Sequence, residues 1–222
     1  MNSNKIIEKV KSDYNLIAKT FSNTRFREWD EFSFFLKFYK PTSNVLDLGC
    51  GNGRLLDFLK KVGFEYYLGV DQSEKLLKIA RSKYPRYTFL EQEFSNLNLD
   101  NRFDSVFIIA SLHHLPPDEQ LHALKGLKKY LNQGAYLFIT NWNLHQFRYL
   151  PFLLKSIFLP SYGFRGVLIP WQNKIKRYYY SFTKRRLEKI LIKSGYKIIF
   201  NDYYNGNIFS ARNILTIAKF KK

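Results

Sequence analysis

The sequence contains a single cysteine, Cys50, among its 222 residues. A lone cysteine cannot form an internal disulfide, a multi-cysteine zinc site or the thiolate set of an iron–sulfur cluster. Long apolar runs are also missing, because the most hydrophobic stretch, residues 150–160, is interrupted by Lys155 and carries two prolines. That stretch is too short to cross a bilayer, although it is compatible with lying on a membrane surface. We therefore expect a globular cytoplasmic protein with no stable membrane insertion.

Acidic residues are scarce. Lys and Arg number 36 against 18 Asp and Glu, which gives a formal charge of +18, and residues 121–187 contain no acid at all. A field of one sign over that length attracts polyanions. The same segment is rich in aromatic residues, and this mixture allows cations to hold phosphates while unstacked bases lie on aromatic faces.

The composition thus favours a single-stranded or looped RNA, with an anionic membrane surface as the alternative and burial in the core as another explanation for the aromatic residues. The candidate RNA contacts are Arg148, Trp171, Arg177, Tyr178 and Tyr179.

Hydrophobic periodicity predicts an α/β fold. Apolar residues spaced three or four apart from Ile6 to Ile17 predict an amphipathic helix, and a second helix is expected near residues 31–39. From residue 45 onward, short buried strands alternate with helices, which is typical of a mostly parallel sheet flanked by helices. We expect Ser73 and Asp118 to cap two of these helices, the second of which has a row of leucines (Leu121, Leu124, Leu127 and Leu131) on one face.

We predict one domain spanning residues 1–222. It comprises a helical N-terminal extension (residues 1–40), a seven-stranded, mostly parallel sheet, and a basic and aromatic insertion after the fifth strand (residues 141–183).

The segment VLDLGCGNGR predicts a ligand-binding turn between the first strand and the following helix. Gly49, Gly51 and Gly53 allow the backbone to bend sharply and to approach a ligand closely. Asp71 ends the second strand about 20 residues later, where a carboxylate accepts hydrogen bonds from ribose hydroxyls. A dinucleotide fingerprint requires a third glycine where Arg54 stands, and Asp47 suits a cationic ligand better than a pyrophosphate. S-adenosylmethionine carries such a cation.

On these residues, positions 45–140 resemble a class I S-adenosylmethionine-dependent methyltransferase with a Rossmann-like sheet. The resemblance implies that Gln72, Glu93 and Phe94 lie near the adenine, with Glu93 in place of the usual Asp, and that Ala110 lines the pocket. Cys50 is expected to be a small buried residue of the turn. The implied cofactor-binding set is Asp47, Gly49, Cys50, Gly51, Gly53, Asp71, Gln72, Glu93, Phe94 and Ala110.

Further segments carry a narrower resemblance. YNLIAKTFSNTRFREW, VLIPW and RYYYSF are similar to segments of the tRNA wobble-uridine carboxymethyl methyltransferases, which esterify 5-carboxymethyluridine in the anticodon. The chain departs from that family at Asp30 (usually Pro), Tyr180 (usually His), Arg185 and Arg186 (usually Gly-Glu). The resemblance implies S-adenosylmethionine as cofactor, tRNA as substrate and a small zinc-binding activator protein as partner.

A carboxylate acceptor is already ionised at neutral pH, so its methylation requires positioning and no general base. We predict that Arg25, in the FSNTR elbow, holds the acceptor carboxylate, and that His113 or His114 donates a hydrogen bond to the carboxylate or the uracil. A packing role for Arg25 and a structural role for the histidines are the alternatives.

Two other functions remain open. One is a methyltransferase for a lipid-like or quinone acceptor at the membrane surface. The other is a non-catalytic tRNA-binding or partner module that keeps the fold without turnover, against which the intact Asp47, glycine turn and Asp71 argue.

Overall fold

The computed structural model describes residues 2–24, 29–158, 162–172 and 175–221. The helices are α1 (Ser3–Asn23), α2 (Glu31–Phe35), α3 (Leu55–Val62), α4 (Glu74–Lys83), α5 (Pro117–Leu127), α6 (Leu150–Phe158) and α7 (Lys184–Lys193). The strands are β1 (Asn44–Leu48), β2 (Tyr66–Asp71), β3 (Thr88–Glu91), β4 (Phe103–Ile109), β5 (Leu131–Trp142), β6 (Gly166–Trp171), β7 (Ile175–Tyr180), β8 (Tyr196–Tyr203) and β9 (Asn213–Phe220). Among the described helices, none is long and apolar enough to span a membrane.

Seven of the strands form one sheet in the order β3-β2-β1-β4-β5-β9-β8. The first five are parallel to one another, and β9 is antiparallel to both β5 and β8. The predicted Rossmann-like, mostly parallel seven-stranded sheet is therefore confirmed. The chain crosses from β3 to β4 on the far side of β1, which makes the carboxyl ends of β1 and β4 the topological switch point where such sheets bind ligands.

Both faces of the sheet are covered, because the central strands are apolar on both sides. On one face α1, α5 and α7 contribute residues such as Val10, Leu124 and Leu187 to the larger core. On the other face α2 and α3 bury Phe35 and Leu56 against the sheet. Burial on both faces explains why these strands are near-continuous hydrophobic runs rather than alternating ones.

The N-terminal extension crosses the sheet at the end where the switch point lies. Helix α1 packs against α4 and β7. Its Asn15 side-chain oxygen accepts hydrogen bonds from Ser73 Oγ (2.8 Å) and from the backbone N–H of Lys75 (3.1 Å). These contacts fix α1 at the start of α4, next to the glycine turn.

The insertion contains α6 and a two-stranded antiparallel sheet formed by β6 and β7. In β7 side chains alternate between two environments: Tyr178 and Tyr180 belong to the main core, whereas Tyr179 belongs to a small cluster with Leu144 and Val167. Arg177 lies two residues before Tyr179 and therefore shares its face.

Three details of the predicted helices are wrong. Helix α5 begins at Pro117 with Pro116 as its N-cap and no side-chain cap, so Asp118 lies in the first turn and does not cap the helix. A proline at the first helical position presets the backbone and does not need a capping partner for an N–H. Leu131 is the first residue of β5 and not part of the helical leucine row. The second predicted helix is also shorter than residues 31–39, since α2 ends at Phe35.

Candidate active site

A cavity lies at the carboxyl ends of β1, β2 and β4. Its walls come from the glycine turn, the ends of β2 and β3, the turn after β4, helix α1 and strand β7. The cavity therefore lies at the switch point of the sheet, and α1 and β7 cover it.

The glycine turn depends on backbone conformations that other residues rarely adopt. Gly49 has φ +74°, and a Cβ built on it would lie 2.3 Å from Ser111 Cβ. Gly51 has φ +56°, and a Cβ there would meet only Leu76 Cδ1, at 3.9 Å. Ser111 thus leaves no room for a side chain at Gly49, whereas Gly51 has open space beside the cavity.

Asp71 connects the second strand to the glycine turn. Its Oδ2 accepts a hydrogen bond from the Gly51 N–H at 2.9 Å, and its Oδ1 accepts one from the Ser73 N–H at 2.8 Å. Burial raises the pKa of this carboxyl above its usual value, and the backbone N–H donors partly offset that effect. The carboxylate is therefore held in one orientation at the cavity wall, with lone pairs left for ribose hydroxyls.

Asp47 lies below the turn and is 1% exposed. Burial raises its pKa to about 7, and the hydroxyl of Tyr67, which donates to Oδ2 at 3.0 Å, acts in the opposite direction. The charge of Asp71 contributes to the rise. A cationic ligand in the cavity favours the ionised form, so binding of such a ligand and ionisation of Asp47 are coupled.

The other predicted cofactor residues are placed as follows. Cys50, Gln72, Glu93, Phe94 and Ala110 line the same cavity. Gly53 does not line it; a Cβ there would meet the ring of Tyr84 at 3.0 Å, which gives this glycine a packing role. The individual contacts of these residues with adenine, ribose or methionine remain predictions.

The opposite side of the cavity is aromatic. Tyr14 of α1, Trp142 at the end of β5 and Tyr179 of β7 form this side, which we call the aromatic wall. Trp142 and Tyr179 are stacked, with centroids 5.2 Å apart. The only cationic side chain that lies among these rings in the described part of the chain is Arg177, which also lines the cavity.

A hydrogen-bonded chain connects β7 to α1 behind this wall. The Tyr178 carbonyl can only accept, so His114 Nδ1 donates to it at 2.7 Å, and His114 Nε2 then accepts from the Tyr14 hydroxyl at 2.8 Å. Arg177 Nη1 donates to the same Tyr14 oxygen at 3.1 Å. Both ring nitrogens of His114 are occupied, which does not agree with the prediction that it donates to the acceptor; its position is that of a residue that orients Tyr14.

His113 is placed differently. Its Nδ1 lies 3.2 Å from Asn141 Oδ1 and 3.3 Å from the backbone nitrogen of Trp142. Its Nε2 is buried and has no hydrogen-bond partner among the described residues. His113 lines the cavity, and a contact between this nitrogen and the acceptor stays a prediction.

The predicted RNA contacts separate into three groups. Arg148 is exposed and stacks on Tyr149 at 4.7 Å, a position open to RNA. Trp171 is partly buried, and Tyr178 is fully buried in the main core, where no base can reach its ring. Tyr178 is therefore corrected to a core residue. Arg177 and Tyr179 face the cavity and not the protein surface.

The predicted carboxylate-binding residue Arg25 lies outside the described residues. Sequence reasoning misses Tyr14 and Trp142 as site residues, because Tyr14 fits the apolar spacing of the first helix and Trp142 is one of many aromatic residues in its segment. Both lie in the cavity wall. Tyr14 occupies the core-facing stripe of α1, and only the crossing of that helix over the sheet shows that this stripe also faces a ligand site.

Known proteins share a domain and a fold with this chain. Residues 45–134 match the family described as "Methyltransferase domain". The fold is similar to that of an S-adenosylmethionine-dependent methyltransferase from Methanosarcina mazei, with a TM-score of 0.73 and 19% identity over 85% of this chain and 97% of the other. The chain contains a class I S-adenosylmethionine-dependent methyltransferase domain. Its cofactor is S-adenosyl-L-methionine.

Relatives with similar sequences carry a more specific name. The tRNA (carboxymethyluridine(34)-5-O)-methyltransferase of Saccharomyces cerevisiae is 35% identical over 141 residues, which are 63% of this chain and 50% of the relative. The protein of the same name from Schizosaccharomyces pombe is 28% identical over 218 residues, covering 90% of this chain and 93% of the relative. The chain thus spans half the length of the first relative and nearly all of the second.

The methyltransferase cavity fits its cofactor. The backbone turn leaves open space at Gly51, Asp71 presents a fixed carboxylate, and Asp47 provides a buried negative charge. We expect Asp71 to hold the ribose of S-adenosylmethionine and Asp47 to attract its cationic methionine part.

Proposed function

We propose that this methyltransferase acts on tRNA and methyl-esterifies the carboxylate of 5-carboxymethyluridine at the wobble position of the anticodon. The names of the yeast relatives and the segments YNLIAKTFSNTRFREW, VLIPW and RYYYSF support this proposal. The observation that carries it is the weak basicity of the histidines beside the aromatic wall, since Asp47, with its pKa near 7, belongs to the cofactor side of the cavity.

The aromatic side of the cavity offers only weak bases among the described residues. Burial lowers the pKa of His114 to about 3, and the charge of Arg177 acts in the same direction. Burial also keeps the pKa of His113 well below its ordinary value, with further contributions from His114 and Arg177. Such groups are poor general bases near neutral pH. These histidines would therefore not deprotonate an acceptor efficiently, whereas a carboxylate is already ionised and needs no base.

When bound, S-adenosylmethionine supplies a methyl group attached to a positively charged sulfur. Transfer joins an acceptor oxygen to the methyl carbon and leaves a neutral thioether, so no proton has to be removed from a carboxylate. The protein then contributes placement. The glycine turn and Asp71 would hold S-adenosylmethionine, and the aromatic wall with Arg177 would hold the acceptor nucleoside. The aromatic wall also gives a planar pyrimidine a surface on which to stack.

The surface charge supports a tRNA substrate. The net charge of +18 and the acid-free segment 121–187 provide an attractive field for phosphates. Arg148 is an exposed cation on this segment, in the insertion that also carries the cavity wall. We place the protein in the cytoplasm, where it would meet tRNA.

An activator subunit belongs to the same proposal. A methyltransferase from Haloferax volcanii, solved in complex with the Trm112 methyltransferase activator, has a TM-score of 0.73 to this fold at 16% identity, over 96% of this chain and 98% of that one. We therefore propose a small zinc-binding activator as a partner of the present chain, and we expect co-expression with it to raise the yield or turnover.

The proposed lipid-like or quinone acceptor is not favoured, because the named relatives are tRNA methyltransferases.

A direct test of the tRNA proposal uses anticodon stem-loops that differ only at the wobble base: uridine, 5-carboxymethyluridine and 5-carbamoylmethyluridine. We expect methyl transfer from labelled cofactor to the carboxymethyl stem-loop alone. Equal labelling of all three stem-loops, or labelling of anionic vesicle lipids instead, would contradict the proposal.

A further inference from the structure

Arg177 is a buried cation with no acidic partner among the residues that the structure describes. Its residue is 2% exposed, and none of the ion pairs between described residues involves it. Charged side chains are almost never buried without a partner, because removing a charge from water is costly. Its setting therefore requires an explanation other than packing.

The guanidinium is surrounded by aromatic rings. Its central carbon lies 4.3 Å from the ring centroid of Trp171, 5.2 Å from that of Tyr179, 5.4 Å from that of Trp142 and 5.8 Å from that of Tyr14. We call these four rings the cage. Cation–π attraction from the cage stabilises the charge and orients the plane of the guanidinium, but it supplies no hydrogen-bond acceptor in that plane.

The hydrogen-bonding capacity of Arg177 is mostly unused. A guanidinium has five N–H donors, and within the described residues Arg177 donates from Nη1 to the Tyr14 hydroxyl, at 3.1 Å. Its Nε is buried and has no partner among the described residues. Buried donors are normally satisfied, so an unsatisfied guanidinium in the wall of a ligand cavity indicates that the partner is the ligand.

The partner must be an anion with acceptor oxygens that reaches the methyl-transfer cavity. A carboxylate or a phosphate meets the first condition. Within this cavity the carboxylate of the acceptor is favoured. It has to lie next to the methyl group. An enzyme that modifies a base takes that base into its pocket, and the phosphates then stay with the strand outside.

We propose that Arg177 binds the carboxylate of the acceptor and orients it for methyl transfer. The buried Nε2 of His113, which has no hydrogen-bond partner in the described part of the chain, is the second contact. This assignment rests on the proposed function and gives Arg177 the role that the sequence suggested for Arg25. One Arg177 N–H stays with Tyr14, so the guanidinium holds the carboxylate through its remaining edge. Contact through one oxygen leaves the other oxygen free to attack.

The Tyr14–His114 chain then has a positioning role. His114 is fixed by the Tyr178 carbonyl, and it fixes the Tyr14 hydroxyl, which in turn fixes Arg177. The connection joins the N-terminal helix to the hairpin of the insertion, across 163 residues of sequence.

The test measures binding of a small acceptor. All three tryptophans of the chain line the cavity or stack on Arg177, so intrinsic fluorescence reports on this site. The probes are 5-carboxymethyluridine, its neutral carbamoylmethyl analogue and uridine 5′-monophosphate, titrated into the protein with S-adenosylhomocysteine present. The variants are Arg177→Met, Arg177→Lys and, as a matched control, Arg86→Met, which replaces an exposed arginine outside the cavity wall.

We expect the wild type and Arg86→Met to bind the carboxylate about 10- to 100-fold more tightly than the carbamoylmethyl analogue, since a charge-assisted hydrogen bond is lost with the amide. Arg177→Met should lose this preference, and Arg177→Lys should keep only part of it, because an ammonium lacks the fork and stacks less well. Tyr14→Phe keeps the ring and removes the hydrogen bond that positions Arg177. We therefore expect it to lose less of the carboxylate preference than Arg177→Met does.

The melting temperature of Arg177→Met provides a second test. Replacing a buried, unsatisfied charge by an apolar side chain is often neutral or stabilising, so Arg177→Met should melt at or above the wild-type temperature. A structural arginine would show the opposite result. If Arg177→Met retains the carboxylate preference, or if the Arg177-dependent preference is for the phosphate probe, the assignment is wrong.

The outcomes separate this assignment from the proposed function. An Arg177-dependent preference for carboxylate without methylation of any tRNA would leave Arg177 as a carboxylate site and would refute the tRNA proposal. Unchanged esterification of the carboxymethyl stem-loop by Arg177→Met would keep the tRNA proposal and refute the role of Arg177.

Discussion

Replacing Gly49 by alanine tests the geometry of the cofactor turn. The backbone there has φ +74°, a left-handed conformation that costs an L-residue with a side chain about 1 to 2 kcal/mol. The new Cβ would also lie 2.3 Å from Ser111 Cβ, an overlap that has to be relieved by moving the turn after β4. Overpacking of this kind costs about 1 to 3 kcal/mol.

The two effects together lower the free energy of unfolding by about 2 to 5 kcal/mol. For a chain of this size, each kcal/mol lowers the melting temperature by about 2 to 4 °C, so we expect a decrease of about 4 to 20 °C in a calorimetric scan. The control is Gly51→Ala, whose φ is also positive but whose Cβ would approach Leu76 Cδ1 only to 3.9 Å. Gly51→Ala should show only the backbone part, about 1 to 2 kcal/mol.

A double variant separates strain from overlap. Ser111→Gly removes the Cβ that collides with residue 49, at the expense of the hydrogen bond from Ser111 Oγ to the Leu48 carbonyl (2.7 Å). Combined with Gly49→Ala, it should recover about 1 to 3 kcal/mol relative to the sum of the single changes. If Gly49→Ala melts within a degree of the wild type, or if the two changes are strictly additive, the described packing of this turn is incorrect.

The other predictions concern the charges of the site and the RNA surface. Because burial raises the pKa of Asp47 to about 7 in the folded protein, ionisation opposes folding, and the unliganded protein should lose stability as pH rises from about 4 to 7; Asp47→Asn should abolish this slope in denaturant titrations. Affinity for S-adenosylmethionine, measured by calorimetry, should fall as pH is lowered through about 7 in the wild type and be weak at every pH in Asp47→Asn, and an equal pH slope in both proteins would rule out Asp47. Arg148→Ala should weaken tRNA binding at all sequences alike and reduce the dependence of log affinity on log salt by about one, as judged by filter binding. Tyr178→Phe removes a buried hydroxyl without a described partner, so tRNA affinity should not change and stability should be equal or higher; a clear loss of affinity would reinstate Tyr178 as an RNA contact.

The elements that local chemistry determines could be predicted from the sequence. Strand β2 ends at Asp71 as expected, and Ser73 caps α4 by accepting from the Leu76 N–H at 3.3 Å, because both signals lie within a few residues. The same local reasoning failed at Asp118, where a good capping residue competes with the Pro116–Pro117 pair and the prolines set the helix start.

The acceptor side of the site could not be derived in this way. RYYYS reads as a strand with alternating faces, but the sequence does not say which face meets a cavity and which meets the core. The answer depends on α1, which brings Tyr14 against Arg177 from the other end of the chain. Tyr178 and Tyr179 are adjacent, equally aromatic and equally buried, yet only Tyr179 faces the ligand site.

The chemical nature of the transferred methyl group provides the most direct test of the whole account. Total tRNA is labelled by the protein with methyl-labelled S-adenosylmethionine, and the product is divided between neutral buffer and mild alkali. A methyl ester is hydrolysed by alkali and releases its label as volatile methanol, whereas methyl groups on ring nitrogen, ring carbon or ribose oxygen are retained. We predict that nearly all of the label is released and that it comes from the wobble uridine. Label that survives alkali on the tRNA would show that the acceptor is not a carboxylate.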